Sequence, residues 1–202
     1  MIRPYTLPTG THVFERGWLS SNNVLFVGSS GTALVDSGYS SHALQTLALV
    51  QNKLAARPLD LLLNTHLHSD HCGGNALLQA TFSDVQTLIP PGNAHAVASW
   101  DQDALTYKAT GQHCDRFDFA ATLAVGSSML LGNHEWQIHA APGHDPDSVV
   151  LFEPVTRTLI SADALWENGF GVVFPELEGI DAFDAVGASI DTDNCLITSQ
   201  KP

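Results

Sequence analysis

The pattern of apolar and polar positions predicts strands alternating with helices from the start of the chain. Val24-Leu25-Phe26-Val27 and Thr32-Ala33-Leu34-Val35 are short apolar runs separated by Gly28-Ser29-Ser30-Gly31. That arrangement reads as a hairpin closed by a Gly/Ser turn. Leu44, Leu47, Val50 and Leu54 then keep helical spacing, with Ser40 or Ser41 available as a cap and Pro58 as a stop. The run Leu59-Asp60-Leu61-Leu62-Leu63 follows as a buried strand. Strand, helix and strand joined in this way predict an α/β layer structure.

Beyond it, residues 75–80 read as a short helix and 85–89 as another strand, with Asn93 placed to cap a helix that reaches about residue 100. Residues 101–119 have no clear period and read as loop-rich. The second half repeats the theme. Thr122-Leu123-Ala124-Val125, Met129-Leu130-Leu131 and Trp136-Gln137-Ile138-His139 are strand candidates, and residues 148–152 with 158–160 form a hairpin around Pro154-Val155-Thr156-Arg157. That hairpin leads into Asp163 as the first one leads into Asp36, which suggests a weak internal duplication.

Chemistry concentrates where the Leu-rich strand ends, in Thr65-His66-Leu67-His68-Ser69-Asp70-His71-Cys72-Gly73-Gly74. In an extended chain His66 and His68 project to one face, with Cα atoms about 6–7 Å apart, a span two imidazoles can close on one ion. Asp70 and His71 are neighbours and cannot both point where His66 and His68 point, which places them for a second ion beside the first. A structural zinc site would favour cysteines in C-x-x-C spacing, and Cys72, Cys114 and Cys195 do not have it. Cys72 reads instead as a small buried filler. His95, His134 and His139 stand in segments without a partner motif and are read as non-ligands.

Bulk properties narrow the partners. The chain has 202 residues, enough for one domain that buries roughly 70% of its unfolded surface. Eight Lys+Arg against 21 Asp+Glu give a formal charge of -13, which disfavours nucleic acid and does not disfavour cations. No apolar run approaches the roughly 18 residues of a membrane helix. The first residues lack the apolar core and cleavage site of a signal peptide. A cytoplasmic protein with a small-molecule substrate is the expectation; the oligomeric state is left open.

The motif H-x-H-x-D-H after an apolar strand resembles the signature of the metallo-β-lactamase superfamily. Val35-Asp36-Ser37-Gly38, Pro142-Gly143-His144 and Ser161-Ala162-Asp163 extend the resemblance, in the family's order, over almost the whole chain. It implies a four-layer αββα sandwich with metals at one edge of its two sheets. It implies that His66, His68 and His144 hold a first ion and that Asp70 and His71 hold a second, with Asp163 bridging. Asp36 would orient a ligand without touching metal. Asp rather than Cys at 163 is similar to the glyoxalase II and general hydrolase branches, and His rather than Glu at 68 differs from the diiron flavoproteins. The long insert and basic surface of the nuclease branch are missing.

Family members bring a final histidine to the second ion from a later loop, and no histidine follows His144. The expectation is therefore a domain over residues 1–190 that lacks part of the family's C-terminal portion. Residues 191–202 are expected to form an atypical tail, neither helix nor strand. The second ion should be weakly held, or only one ion bound. The implied activity is that of a zinc-dependent hydrolase. Zinc lowers the pKa of bound water from about 15.7 to about 7. The metal-bound hydroxide would then attack a thioester, lactone, β-lactam or other ester or amide, with Asp70 orienting the nucleophile or relaying its proton. Two other readings stay open: a mononuclear iron enzyme like the persulfide dioxygenases, and an inactive truncated remnant. Trp166-Glu167-Asn168-Gly169-Phe170-Gly171 is expected to overhang the site, and Gln112-His113-Cys114 either lines the cleft or forms a surface loop.

Overall fold

The computed structural model describes residues 6–17, 20–166, 169, 171–177 and 179–198. The first sheet has six strands in spatial order β1 (Thr11–Phe14), β2 (Asn23–Gly28), β3 (Gly31–Val35), β4 (Leu61–Leu63), β5 (Gln86–Ile89) and β6 (Ala121–Thr122). The β1, β2 and β3 pairings are antiparallel, and β3 through β6 run parallel. The second sheet is an antiparallel meander of β7 (Ser128–Leu131), β8 (His134–Ala140), β9 (Val149–Glu153) and β10 (Thr158–Ile160).

Side chains alternate across a strand, so a strand that is apolar at successive positions must be covered on both faces. β2 is such a strand. Val24 and Phe26 face the second sheet in a cluster with Val35, Leu63, Trp136 and Leu151. Leu25, one residue out of phase, packs with Leu34, Leu62 and Leu78 beneath α1 (Ala43–Leu54) and α3 (Asn75–Thr81). Phe26 meets the Trp136 ring edge-on at 5.1 Å, bridging the sheets. On the far side of the second sheet, Val150 packs with Ala164 and with Leu196 of α7 (Phe183–Thr198). The layers are helix, sheet, sheet and helix, as the resemblance implied.

Several elements differ from the sequence expectation. Neither Ser40 nor Ser41 caps α1, which is preceded by a 3-10 turn over Ser40–His42. Its buried residues are Thr46, Val50 and Leu54, four apart, and Leu44 lies off that line, 74% exposed. Only Leu61–Leu63 of the Leu-rich run forms the strand, and the Asp60 carboxylate before it accepts Thr32 N–H at 2.8 Å. Asn93 precedes α4 (Ala94–Ser99) without capping it; its side-chain amide goes to Asp147 instead. Residues 101–119 are loop-rich as expected, with one turn, α5 (Tyr107–Thr110).

The largest correction concerns the tail, where α7 continues unbroken to Thr198. Two polar residues of its inner face, Ser189 and Asp193, are buried. They sit beside the apolar contact of Leu196 with Val150, so the face that meets the sheet mixes polar and apolar positions. Among the described residues no helix is long and apolar enough to cross a membrane.

The β2–β3 turn lies against the β7–β8 turn so closely that a Cβ on Gly28 would overlap the Gly132 backbone. Gly28→Ala is expected to destabilise by about 1–3 kcal/mol. Gly187, inside α7, has open space where a methyl group would project and should tolerate the same change. There alanine should stabilise by about 0.5–1 kcal/mol. Denaturant unfolding of both variants checks the pair; an unaffected Gly28→Ala would refute the close approach.

Candidate metal centre

The centre forms where the parallel strands of the first sheet end against the second. β4 stops at Leu63, and the chain bends through Thr65 before the turn α2 (Ser69–Cys72). Thr65 carbonyl accepts the Val149 N–H at 2.8 Å, pinning the bend to the start of β9. On the other side, Asp36 Oδ1 accepts Thr65 N–H at 2.9 Å and Asp36 Oδ2 accepts its hydroxyl at 2.8 Å. Asp36 itself has a left-handed backbone (φ 58°), a conformation Asp tolerates better than most residues. Ser37 N–H donates to the His71 carbonyl at 2.7 Å, which seats α2 beside the end of β3.

This scaffold converges four imidazoles. His66 Nε2 lies 3.1 Å from His68 Nδ1, and His68 Nδ1 lies 2.9 Å from His144 Nε2. His66 also packs against His71, with ring centroids 3.9 Å apart. Asp163, on the turn after β10, reaches both halves: its oxygens are 3.5 Å from His71 Nε2 and 3.5 Å from His144 Nε2. Two sets of donor atoms, each within 4.8 Å, result: His66, His68 and His144, and His66, His71 and Asp163. Asp70 stands beside the second set, 3.9 Å from His71 Nε2.

Each imidazole has a second nitrogen with a partner away from the cluster. Thr65 Oγ1 is 3.2 Å from His66 Nδ1, Asp145 Oδ2 is 3.6 Å from His68 Nε2, and Asp36 Oδ2 is 2.8 Å from His71 Nδ1. The Val172 carbonyl lies 2.5 Å from His144 Nδ1.

The electrostatics follow from this crowding. Burial, and then the neighbouring imidazoles, lower His66 far below the usual histidine range and bring His68 to about 3. Burial also lowers His144, against the pull of Asp163. His71 goes the other way: burial opposes its charge, but Asp36 and Asp163 together raise it well above the ordinary value. Burial likewise opposes ionisation of Asp163, yet His71 and then His144 hold it near 2. Burial, against the hydrogen bond from Asp147 N–H, carries Asp145 up to about 6. The first set thus presents neutral imidazole lone pairs, the form that ligates metals.

The cluster forms one wall of a cavity of about 800 Å³. Val13, Ile160, Trp166 and Phe174 contribute apolar lining, and Arg16 from the β1–β2 connection is also present. Trp166 is half exposed, its indole N–H directed at Asp163 Oδ1 at 3.4 Å. It stands at the site as expected, while Glu167, Asn168 and Phe170 lie outside the described residues. Gln112 lines the cavity, Cys114 is buried in the core and His113 is exposed beside Asp115. Cys72 is fully buried, its thiol 3.0 Å from the Tyr107 hydroxyl and 3.8 Å from Cys114 Sγ. His95, His134 and His139 belong to neither donor set.

His66, His68, His71, His144 and Asp163 therefore meet at one place, and Asp36 and Asp70 adjoin it. Of the neighbours Asp70 and His71, it is His71 whose ring the α2 turn brings back against His66. Sequence reasoning missed Thr65, Asp145 and Phe174. Asp145 carried a signal, a carboxylate directly after a ligand-type histidine, whereas Thr65 and Phe174 carried none.

A sequence model of the metallo-beta-lactamase superfamily matches residues 16–195. Hydroxyacylglutathione hydrolase of Bdellovibrio bacteriovorus is 28% identical over 123 residues, covering 60% of this chain and 41% of the relative. The enzyme of the same name from Thermosynechococcus vestitus is 25% identical over 116 residues, 57% of this chain and 38% of the relative. The chain thus spans about two fifths of the length of these curated relatives. Among solved structures, BLEG-1 B3 metallo-beta-lactamase superposes with a TM-score of 0.71 at 22% identity, over 90% of this chain and 83% of that one. TTHA1623 in a di-iron-bound form superposes with a TM-score of 0.69 at 27% identity, over 90% and 84%.

Replacing Asp36 by Ala strands the Thr65 donors and His71 Nδ1 in a buried site. Each abandoned group costs about 1–3 kcal/mol. Asp36→Ala is expected to unfold at lower denaturant concentration than Asp36→Asn, which keeps an acceptor. Unfolding measured in chelator makes the comparison independent of metal; equal stability of the two variants would contradict the bracing role.

Proposed function

The chain belongs to the metallo-β-lactamase superfamily, and we propose that it is a metal-dependent hydrolase of an acyl bond in a small-molecule substrate. The observation that carries the reading is the pair of donor sets that share His66 on the wall of an open cavity. The donors suit a divalent ion. The first set is three neutral imidazoles, and His71 Nε2 is buried with no hydrogen-bond partner. A bare buried nitrogen of that kind costs about 1–3 kcal/mol unless something occupies it. We assign His66, His68 and His144 to one ion and Asp70 and His71 to another, with Asp163 shared between them.

A bound ion would supply Lewis acidity, polarising a carbonyl and acidifying a water near neutral pH. The chain's own residues do the rest. Asp163, between His71 and His144, keeps a carboxylate charge at the junction of the two sets. Asp70 has 29% of its side chain exposed, which suits it to orient a water or accept its proton. Phe174, at the start of the turn α6 (Phe174–Leu177), packs its tilted ring on His68 at 4.3 Å and, with Trp166, gives the cavity an apolar wall beside the cluster. A side-chain nucleophile is not required.

Thioester is the acyl bond we favour, because the curated relatives are named as hydroxyacylglutathione hydrolases. Zinc is the favoured ion for its fit to imidazole and carboxylate donors. Iron is the second reading, supported by the di-iron-bound form of a relative at 27% identity. With iron in the centre, a persulfide-oxidising activity becomes the alternative chemistry. The formal charge of -13 argues against nucleic acid as a partner.

Metal analysis of the purified chain with assays on thioester, lactone and β-lactam substrates tests the proposal. The expected result is zinc, one ion held tightly and a second lost on dialysis, with thioester turnover that disappears in chelator and returns with zinc. His66→Ala and His144→Ala should each lose the tight ion and fall to background turnover while keeping the fold by circular dichroism. Iron with oxygen consumption would favour the second reading, and a metal-loaded protein inert on every substrate would defeat both.

A further inference from the structure

We infer that Asp145 is a positioning residue of the centre: it holds His68 in the tautomer and orientation that present Nδ1 to the first ion. The inference rests on the metal-centre reading above and adds to it a residue outside the ligand set. His68 Nδ1 is the atom that lies within 3.1 Å of His66 Nε2 and 2.9 Å of His144 Nε2. For Nδ1 to offer a lone pair, the ring hydrogen must sit on Nε2. Nε2 faces Asp145 Oδ2 at 3.6 Å, in a pocket where 11% of the His68 side chain and 16% of the Asp145 side chain remain exposed. Phe174 also packs against the ring, and its face supplies no conventional acceptor.

The carboxylate is itself held in place. Asp147 N–H donates to Asp145 Oδ1 at 2.8 Å, which leaves Oδ2 for His68. Ser148 N–H donates to the Asp145 carbonyl at 3.1 Å, closing the turn. Asn93 Nδ2 donates to Asp147 Oδ2 at 3.1 Å, tying that turn to the start of α4. So a line of polar contacts runs from α4 through Asp147 and Asp145 to His68. Asp145 stands beside His68 as Asp36 stands beside His71, though at 3.6 Å rather than 2.8 Å, and its place in the fold differs. Asp36 is tied to the first sheet through Thr65, whereas Asp145 follows His144 directly and couples two ligands of the same ion through one turn.

Outer partners of ligating histidines fix ring orientation, and their removal typically costs about 10–100-fold in metal affinity. The test uses the full chain, stripped with chelator and titrated with Zn²⁺ and Co²⁺, as wild type, Asp145→Asn and Asp145→Ala. Asp145→Ala is expected to weaken the tighter ion by about 10–100-fold, and Asp145→Asn, whose single oxygen cannot accept from both Asp147 N–H and His68 Nε2–H, by a smaller but measurable factor. The discriminating readout is the ¹⁵N–¹H spectrum of ¹⁵N-histidine-labelled, zinc-loaded protein. Wild type should show His68 as one Nε2–H tautomer with a slowly exchanging proton, whose exchange is faster in Asp145→Asn and which Asp145→Ala loses. Circular dichroism and thermal melting of the stripped proteins separate this from a folding defect, and the isosteric Asn variant carries the test if Ala does not fold. Unchanged affinity in Asp145→Ala, or an unchanged His68 Nε2–H signal, overturns the positioning role while the metal centre stands. Wild type that binds neither Zn²⁺ nor Co²⁺ overturns the centre and the inference together.

Discussion

Everything at the centre depends on one junction, Thr65. Its N–H and hydroxyl are taken by Asp36 at the end of β3, and its carbonyl by Val149 at the start of β9. A single residue therefore joins the first sheet to the second at the point where the histidines begin. Buried backbone groups must be paired, so the bend cannot drift without leaving donors or acceptors stranded. His66, the residue common to both donor sets, follows directly. Register in the two sheets is set by their shared apolar core, and Thr65 transmits that register to the imidazoles.

His71 is the second constraint. Asp36 lies on its Nδ1 side and Asp163 on its Nε2 side, and each aspartate is delivered by the hairpin of a different sheet. The weak duplication suggested by the two hairpins thus has a spatial counterpart, since the repeated aspartates bracket one ring. The bracketing explains why His71 is pushed upward in basicity while its three neighbours, crowded by one another and by burial, go down. A polar network this buried is costly when half satisfied and rigid when complete.

Much of this was legible before the fold. The density of histidines after an apolar strand pointed to metal, and His144, Asp163 and Asp36 were nameable from the motifs around them. What could not be read is instructive. Asn93 looked like a helix cap and makes no capping bond; its amide nitrogen donates across the fold to the Asp147 carboxylate, a partner that local sequence does not reveal. Leu44 fitted the helical period and is exposed, because the period identifies a face only to within a residue or so. The tail looked irregular and is helical, because Ser189 and Asp193 replace the apolar residues that a pattern search requires.

The sequence by itself determined the donor types, their order, and the alternation of strands and helices, since these follow from side-chain chemistry and from periods of two and 3.6 residues; the four-layer arrangement was implied by the family resemblance. The tertiary structure decided which nitrogen of each imidazole faces the centre and which protein group holds the other. It also decided that His71 turns back toward His66, and that the cavity wall is shared between the β1–β2 connection and residues after β10. Those outcomes depend on contacts between segments far apart in the chain, of which Thr65 to Val149 and Asn93 to Asp147 are the plainest. Spacing along the backbone carries no record of such distances, because only the packing of the two sheets brings their ends together.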